Sequence, residues 1–87
     1  METIKQLISE GNIQEALHLL DEYLTHHKDS DEAWFLRGNA YRKIGETRLA
    51  INSYLEAIAL NPQSPAQEAY NMMIKILDFY NKDMFNH

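Results

Sequence analysis

The chain matches itself when it is displaced by 34 residues. Five pairs of positions coincide in this alignment: Gly11 with Gly45, Ala16 with Ala50, Leu17 with Ile51, Leu20 with Tyr54, and Leu24 with Ile58. A period of this length is typical of structural units that cannot bury their apolar face alone and stack on their neighbours. Because 87 residues are too few for two independent cores, the repeat predicts two stacked copies within one domain, residues 1–87.

Apolar residues recur at intervals of three and four along the whole chain, which predicts helices rather than strands. Gly11 and Gly45 are predicted to end the first and third helices, and Pro62 follows the fourth. Ser30 or Asp31 is predicted to cap the third helix, and Ser64 the fifth. The five predicted helices are Glu2–Glu10, Ile13–His26, about 31–44, Thr47–Leu60 and about 65–82.

The second copy carries large and small residues at characteristic positions: Trp34, Gly38, Tyr41, Ala50, Tyr54 and Pro62. This pattern resembles the tetratricopeptide repeat. Arg37 departs from it, since the family has Leu there, and Tyr54 replaces Phe. The resemblance implies an all-α fold, a right-handed α-solenoid of two antiparallel helix hairpins, the first incomplete, plus a C-terminal capping helix.

The corresponding boundaries are about 1–30 for the first repeat, 31–64 for the second, 65–82 for the capping helix and 83–87 for a tail. The fifth helix is assigned as a cap because one of its faces is polar along its length. That face comprises Glu68, Asn71, Lys75, Asp78 and Lys82. A polar outer face lets a terminal repeat end the stack in water.

The resemblance further implies a non-enzymatic protein-protein interaction module that binds a peptide or protein segment on its concave face. Helices one, three and five would line that face, and the acidic part of the ligand would lie toward helix three. The expected contact residues are Lys5, Phe35, Asn39, Arg42, Lys43, Met73 and Ile76, with Ala66 and Ala69 beside them.

Two other interpretations of these residues stay open. Phe35, Met73 and Ile76 are also explained as core, or as a surface covered by the tail 84–87, because helical apolar stripes are usually buried. Arg42 and Lys43 are also explained as a solvated helix end that favours cations. An alternative function is homodimerisation through the apolar surface of the fifth helix, including Tyr80, Met84 and Phe85.

Some tetratricopeptide proteins hold a C-terminal carboxylate in a clamp of Lys, Asn and Arg. At the clamp positions this chain has Lys5 but also Leu36, Ala66 and Tyr70. None of the last three can supply the amide or cation that a clamp needs. We therefore do not expect this chain to bind chaperone tails in that way.

Composition excludes several classes of function. With net charge -5 and no cysteine, the chain lacks the positive surface for nucleic acid and any thiolate chemistry. Residues 1–32 hold eight acidic and two basic residues, whereas residues 33–62 hold four basic and two acidic ones. The apolar runs are too short for a membrane span, and the N-terminus does not have a signal-peptide pattern, so a cytoplasmic location is expected.

No cofactor or metal is expected. His18, Glu22 and His26 share a helical face, but three weakly constrained donors on one surface are better explained by a His–Glu pair. The serines and acidic residues lack the neighbours that would make a nucleophile or an acid–base pair. The sequence therefore predicts a domain that is not an enzyme.

Overall fold

Five helices follow one another in an antiparallel stack. The computed structural model describes the backbone of residues 1–85 and the side chains of residues 1–79. The helices are α1 Glu2–Glu10, α2 Ile13–His26, α3 Asp31–Lys43, α4 Thr47–Leu60 and α5 Ala66–Phe85, and residues 1–85 contain no strand. The α1–α2 and α3–α4 pairs form two hairpins, and α5 packs on α4. The predicted right-handed all-α solenoid with a capping helix is confirmed.

Local signals at the helix ends explain these bounds. The Ser30 hydroxyl accepts a hydrogen bond from the Ala33 amide at 3.2 Å, and the buried Ser64 hydroxyl accepts one from the Ala66 amide at 3.1 Å. Gly11 and Gly45 adopt left-handed backbone angles, with φ of 86° and 78°. Such angles cost little only for glycine, so each hairpin turns at the predicted position.

The second hairpin is closed by a small residue that faces a large one. A Cβ atom added to Gly38 on α3 would lie 2.5 Å from two ring carbons of Tyr54 on α4, whose side chain is fully buried. The first hairpin has Ile4 and Leu20 at the same two positions, and both are buried. The repeats therefore divide a similar interior volume differently between their paired helices.

Two core clusters lie along the stack. The first contains buried residues of α1, α2 and α3, and the second contains buried residues of α4 and α5. Trp34, Phe35 and Tyr41 of α3 pack against both clusters. Helix α3 therefore joins the two halves, and its remaining faces set the shape of the surface that a partner could reach.

Helix α5 differs from its predicted extent. It continues to Phe85, three residues beyond Lys82, so residues 83–85 of the predicted tail are helical; residues 86 and 87 lie outside the described part. The extension is consistent with the absence of Gly and Pro after Pro65. Glu68, Asn71, Lys75 and Asp78 are exposed, as a solvating cap requires, whereas the Lys82 side chain is not among those described.

None of the helices in the described part is both long and apolar enough to cross a membrane. The longest, α5, interrupts its apolar residues with the polar face just described.

Candidate peptide-binding groove

The predicted groove residues of α3 share one side of the helix. From Phe35 they follow at steps of four, three and one positions, to Asn39, Arg42 and Lys43, which keeps them within about one third of the helix circumference. Phe35 and Asn39 are half-buried, and Arg42 and Lys43 are exposed. Two hollows open along this side, one near each end of α3.

The first hollow lies at the N-terminal end of α3 and has a volume of about 340 Å³. It is lined by Lys5, Asp31, Glu32, Phe35, Leu36, Ser64 and Pro65. The structure therefore brings together two predicted site residues, Lys5 and Phe35. Phe35 forms an apolar wall that a partner side chain could contact.

Lys5 is engaged in ion pairs at the rim of this first hollow. Its Nζ lies 3.2 Å from Glu2 Oε1 and 3.3 Å from Glu32 Oε2. The hydrogen bond with Glu2, and then that with Glu32, raises the pKa of Lys5 above its usual 10.5. The Lys5 charge is therefore already balanced by two carboxylates.

The second hollow, of about 390 Å³, lies toward the C-terminal end of α3 and is lined by Ile8, Asn39, Arg42 and Lys43. The Tyr54 hydroxyl donates to Asn39 Oδ1 at 2.5 Å, which fixes the amide and leaves Asn39 Nδ2 to donate. Lys43 Nζ donates to the Ser9 carbonyl at 3.3 Å. This hollow thus presents an oriented amide donor beside two cations.

Burial raises the pKa of Tyr54 above 10.0, against the opposing effect of the nearby Arg42 charge. The Tyr54 phenol therefore stays protonated at neutral pH and keeps donating to Asn39.

The two predicted site residues on α5 are placed differently from each other. Met73 is only 7% exposed and belongs to the second core cluster, whereas Ile76 is 52% exposed. Ala66 and Ala69 are also buried in that cluster. The sequence left open that Phe35, Met73 and Ile76 belong to the core. The burial of Met73 supports that interpretation for Met73, whereas Phe35 borders an open hollow and Ile76 is largely exposed.

Met73 is buried because the register changes between α3 and α5. The buried residues Ala33, Leu36 and Ala40 of α3 are spaced by three and four, and Ala66, Ala69 and Met73 of α5 repeat that spacing. The offset is 33 residues instead of 34. Met73 therefore corresponds to the core residue Ala40 rather than to Asn39.

The corrected register adds groove-side residues to Ile76, which the 34-residue period already predicted. The residues of α5 equivalent to Phe35, Asn39, Arg42 and Lys43 are Glu68, Met72, Lys75 and Ile76, and all four are exposed. The sequence contains the signal: Ala33 lies three positions after Ser30, but Ala66 lies only two positions after Ser64. One residue is missing between the cap and the first buried alanine.

Comparisons with known proteins agree with this architecture. The profile of the tetratricopeptide repeat matches residues 31–64, which are the second hairpin and its following turn. The solution NMR structure of Bacteroides fragilis protein BF1650 is 53% identical, with a TM-score of 0.86 over 98% of this chain and 87% of that one.

Residues 31–64 are a tetratricopeptide repeat.

An uncharacterized protein of Treponema pallidum (strain Nichols) is 37% identical in an alignment of 67 residues, and the match covers 70% of this chain. The match spans only 13% of that much longer relative. The resemblance therefore concerns a small part of that protein.

The carboxylate clamp of some tetratricopeptide proteins has no counterpart in this arrangement. Leu36 is 5% exposed and Ala66 is fully buried, so two of the clamp positions lie in the core. Lys5, at the third, is held by Glu2 and Glu32. These positions therefore cannot form a carboxylate clamp together.

The histidine-rich face of α2 forms a pair rather than a cluster. His18 Nε2 lies 3.9 Å from Glu22 Oε2, and both side chains are exposed to solvent. Among residues 1–79, no group of three or more His, Asp or Glu side chains is placed to hold a metal ion. The geometry of α2 matches the His–Glu surface pair that the sequence favours.

Proposed function

We propose that this tetratricopeptide domain binds a peptide or protein segment along the groove side of α3, without catalysing a reaction. Tetratricopeptide repeats are in general protein-protein interaction modules and typically non-enzymatic scaffolds. The observation that carries the proposal is the pair of hollows along one side of α3, one walled by Phe35 and the other lined by the oriented Asn39 amide. An apolar wall next to a fixed donor suits a side chain and its own backbone carbonyl.

The proposed contact residues are Lys5, Phe35, Asn39, Arg42, Lys43 and Ile76, with Met73 supporting the floor from the core. Net charge -5 favours a protein partner over nucleic acid. A cytoplasmic location stays a prediction.

The test is a peptide-array screen on the full chain, followed by affinity measurements on Asn39→Ala and Arg42→Glu. Each variant has a matched control on α4, where Asn52 and Arg48 are exposed: Asn52→Ala and Arg48→Glu. We expect the groove variants to weaken binding and the α4 variants to leave it unchanged. Unchanged affinity in both groove variants would show that the peptide does not bind in the groove.

Asn39→Ala also removes the acceptor of the Tyr54 hydroxyl, so its thermal unfolding is measured in parallel. Arg42→Glu removes no described hydrogen bond or ion pair, but it places a negative charge in the last turn of α3, so its thermal unfolding is measured as well.

A second candidate function is homodimerisation through α5. Met72, Ile76 and Phe79 follow one another at intervals of four and three residues and are 54%, 52% and 75% exposed. A stripe of this kind can pair with its copy across a two-fold axis. Tyr80, Met84 and Phe85, which the sequence adds to this surface, lie outside the described side chains.

Sedimentation at several concentrations tests the dimer, with Ile76→Asp as the disrupting variant and Ala59→Asp, on an exposed position of α4, as its control. The dimer hypothesis expects a concentration-dependent mass that Ile76→Asp abolishes. A monomer at every concentration contradicts it.

A further inference from the structure

Exposed cations lie at the C-terminal end of α3, beside the second hollow. Arg42 and Lys43 lie there on α3, and Lys75 occupies on α5 the position equivalent to Arg42 in the 33-residue register. Among residues 1–79, no carboxylate lies within 4 Å of Arg42 or Lys75. The contact of Lys43 is to a carbonyl rather than to an acid. This end therefore has positive charge available for a ligand.

The opposite end has the reverse sign. Asp31 and Glu32 line the hollow walled by Phe35, and Glu68 holds on α5 the position equivalent to Phe35. Among the described side chains, the cation that lines this hollow is Lys5, which Glu2 and Glu32 both contact. Carboxylates thus outnumber cations around an apolar hollow.

The two ends are separated by a distance that a short peptide spans. Arg42 lies ten positions after Glu32 on α3, which is about 15 Å along a helix. An extended chain advances about 3.3 Å per residue and covers that distance in four to five residues.

We propose that the groove recognises an extended segment with opposite charges at its two ends. One or more carboxylates bind Arg42 and Lys75. An apolar side chain enters the Phe35 hollow, with a basic residue next to it facing Asp31 and Glu68. The carboxylate and the basic residue stand four to five residues apart. This inference rests on the proposed function and specifies its ligand, because a uniformly acidic segment would be repelled at the N-terminal end of α3.

A display selection of random twelve-residue peptides on the full chain tests the charge pattern. We expect enriched peptides to combine Asp or Glu with Lys or Arg at a separation of four to five residues and an apolar residue beside the base. The affinity of a synthetic consensus peptide should fall as sodium chloride is raised from 50 to 500 mM.

Charge reversals locate the binding. Arg42→Glu and Lys75→Glu should each weaken the consensus peptide about fivefold to tenfold, while Arg48→Glu on α4 should change its affinity less than about twofold. A peptide in which lysine replaces the carboxylates should bind the double variant Arg42→Glu/Lys75→Glu better than it binds the original chain.

The outcomes separate the two proposals. If enriched peptides lose affinity in Asn39→Ala but lack the paired charges, or tolerate Lys75→Glu, the groove stands and the opposite-charge ligand is wrong. If no peptide is enriched, or if none of the groove variants changes binding, the proposed function itself fails.

Discussion

The two hairpins close their helix pairs in different ways. The first uses two medium-sized aliphatic residues, Ile4 and Leu20, whereas the second uses Gly38 and Tyr54 at the same positions. Tyr54 makes an interaction that Leu20 cannot make, because its hydroxyl reaches α3 and donates to Asn39. The core of the second hairpin thereby orients a residue of the groove. Both repeats fill a similar volume between their paired helices. The second repeat adds the Tyr54–Asn39 hydrogen bond, which joins the core to the surface.

The largest expected effect on stability comes from placing a residue of the first hairpin, Ile4, at the equivalent position of the second. Gly38→Ile should lower the free energy of unfolding by about 3 kcal/mol, because even its Cβ would lie 2.5 Å from the Tyr54 ring. Urea denaturation measures the loss.

The double variant Gly38→Ile/Tyr54→Leu reproduces the residues of the first hairpin and tests the comparison directly. We expect it to be about 1–2 kcal/mol more stable than the sum of the two single changes implies. Additive losses would mean that the two hairpins are not alternative divisions of one volume.

Removing only the polar link should have a smaller effect. Tyr54→Phe keeps the ring against Gly38 but leaves Asn39 Oδ1 without its donor, which should cost about 1 kcal/mol at pH 7. Tyr41→Phe is the control, since the Tyr41 hydroxyl has no hydrogen-bond partner within the described side chains, and its loss should stay below about 0.5 kcal/mol.

Alkaline titration examines the same link. Because the pKa of Tyr54 is raised in the folded state, its contribution to stability is complete below pH 10.0 and is lost as the pH rises through the raised value. The raised pKa of Lys5 acts in the same direction above 10.5. Tyr54→Phe should therefore lose less stability between pH 9 and 11 than the original chain; an equal loss would contradict the assignment to Tyr54.

Arg37 separates the two copies in another way, because Thr3 stands at its position in the first hairpin. Its Nε donates to Asp21 Oδ1 at 2.9 Å and its Nη1 to the buried Ser53 hydroxyl at 3.0 Å, while the guanidinium lies 4.9 Å from the centre of the Tyr41 ring. Arg37 thus ties α3 to both α2 and α4.

Replacing Arg37 with the leucine typical of the family should cost about 1 kcal/mol of unfolding free energy, as hydrogen bonds to a charged group are lost. Asp21→Asn should account for the salt-sensitive part of that loss. A more stable Arg37→Leu variant would show that the residue is tolerated rather than used.

Most of this architecture could be predicted from short-range patterns. Ser30, Gly11 and Gly45 act through their own backbone neighbours, so the helix ends follow from single positions. The placement of Met73 could not be predicted from a period of 34, because a one-residue deletion after Ser64 turns α5 by about 100°. Nor could the Tyr54–Asn39 bond, since it depends on how closely α4 approaches α3 across Gly38.

The smallest expected effect concerns Lys43, which contacts the first hairpin and also borders the groove. Its Nζ reaches the Ser9 carbonyl near the C-terminal end of α1, an interaction between residues that are equivalent in the two repeats. Lys43→Met should lower the free energy of unfolding by less than about 0.5 kcal/mol, because the contact is exposed and long. Amide exchange in the last turn of α1 should accelerate, whereas Lys75→Met, the control, should leave it unchanged. A loss above about 1 kcal/mol would show that Lys43 holds the two hairpins together, which would leave Arg42 and Lys75 to bind a ligand carboxylate. A small loss would show that Lys43 is available to bind it too.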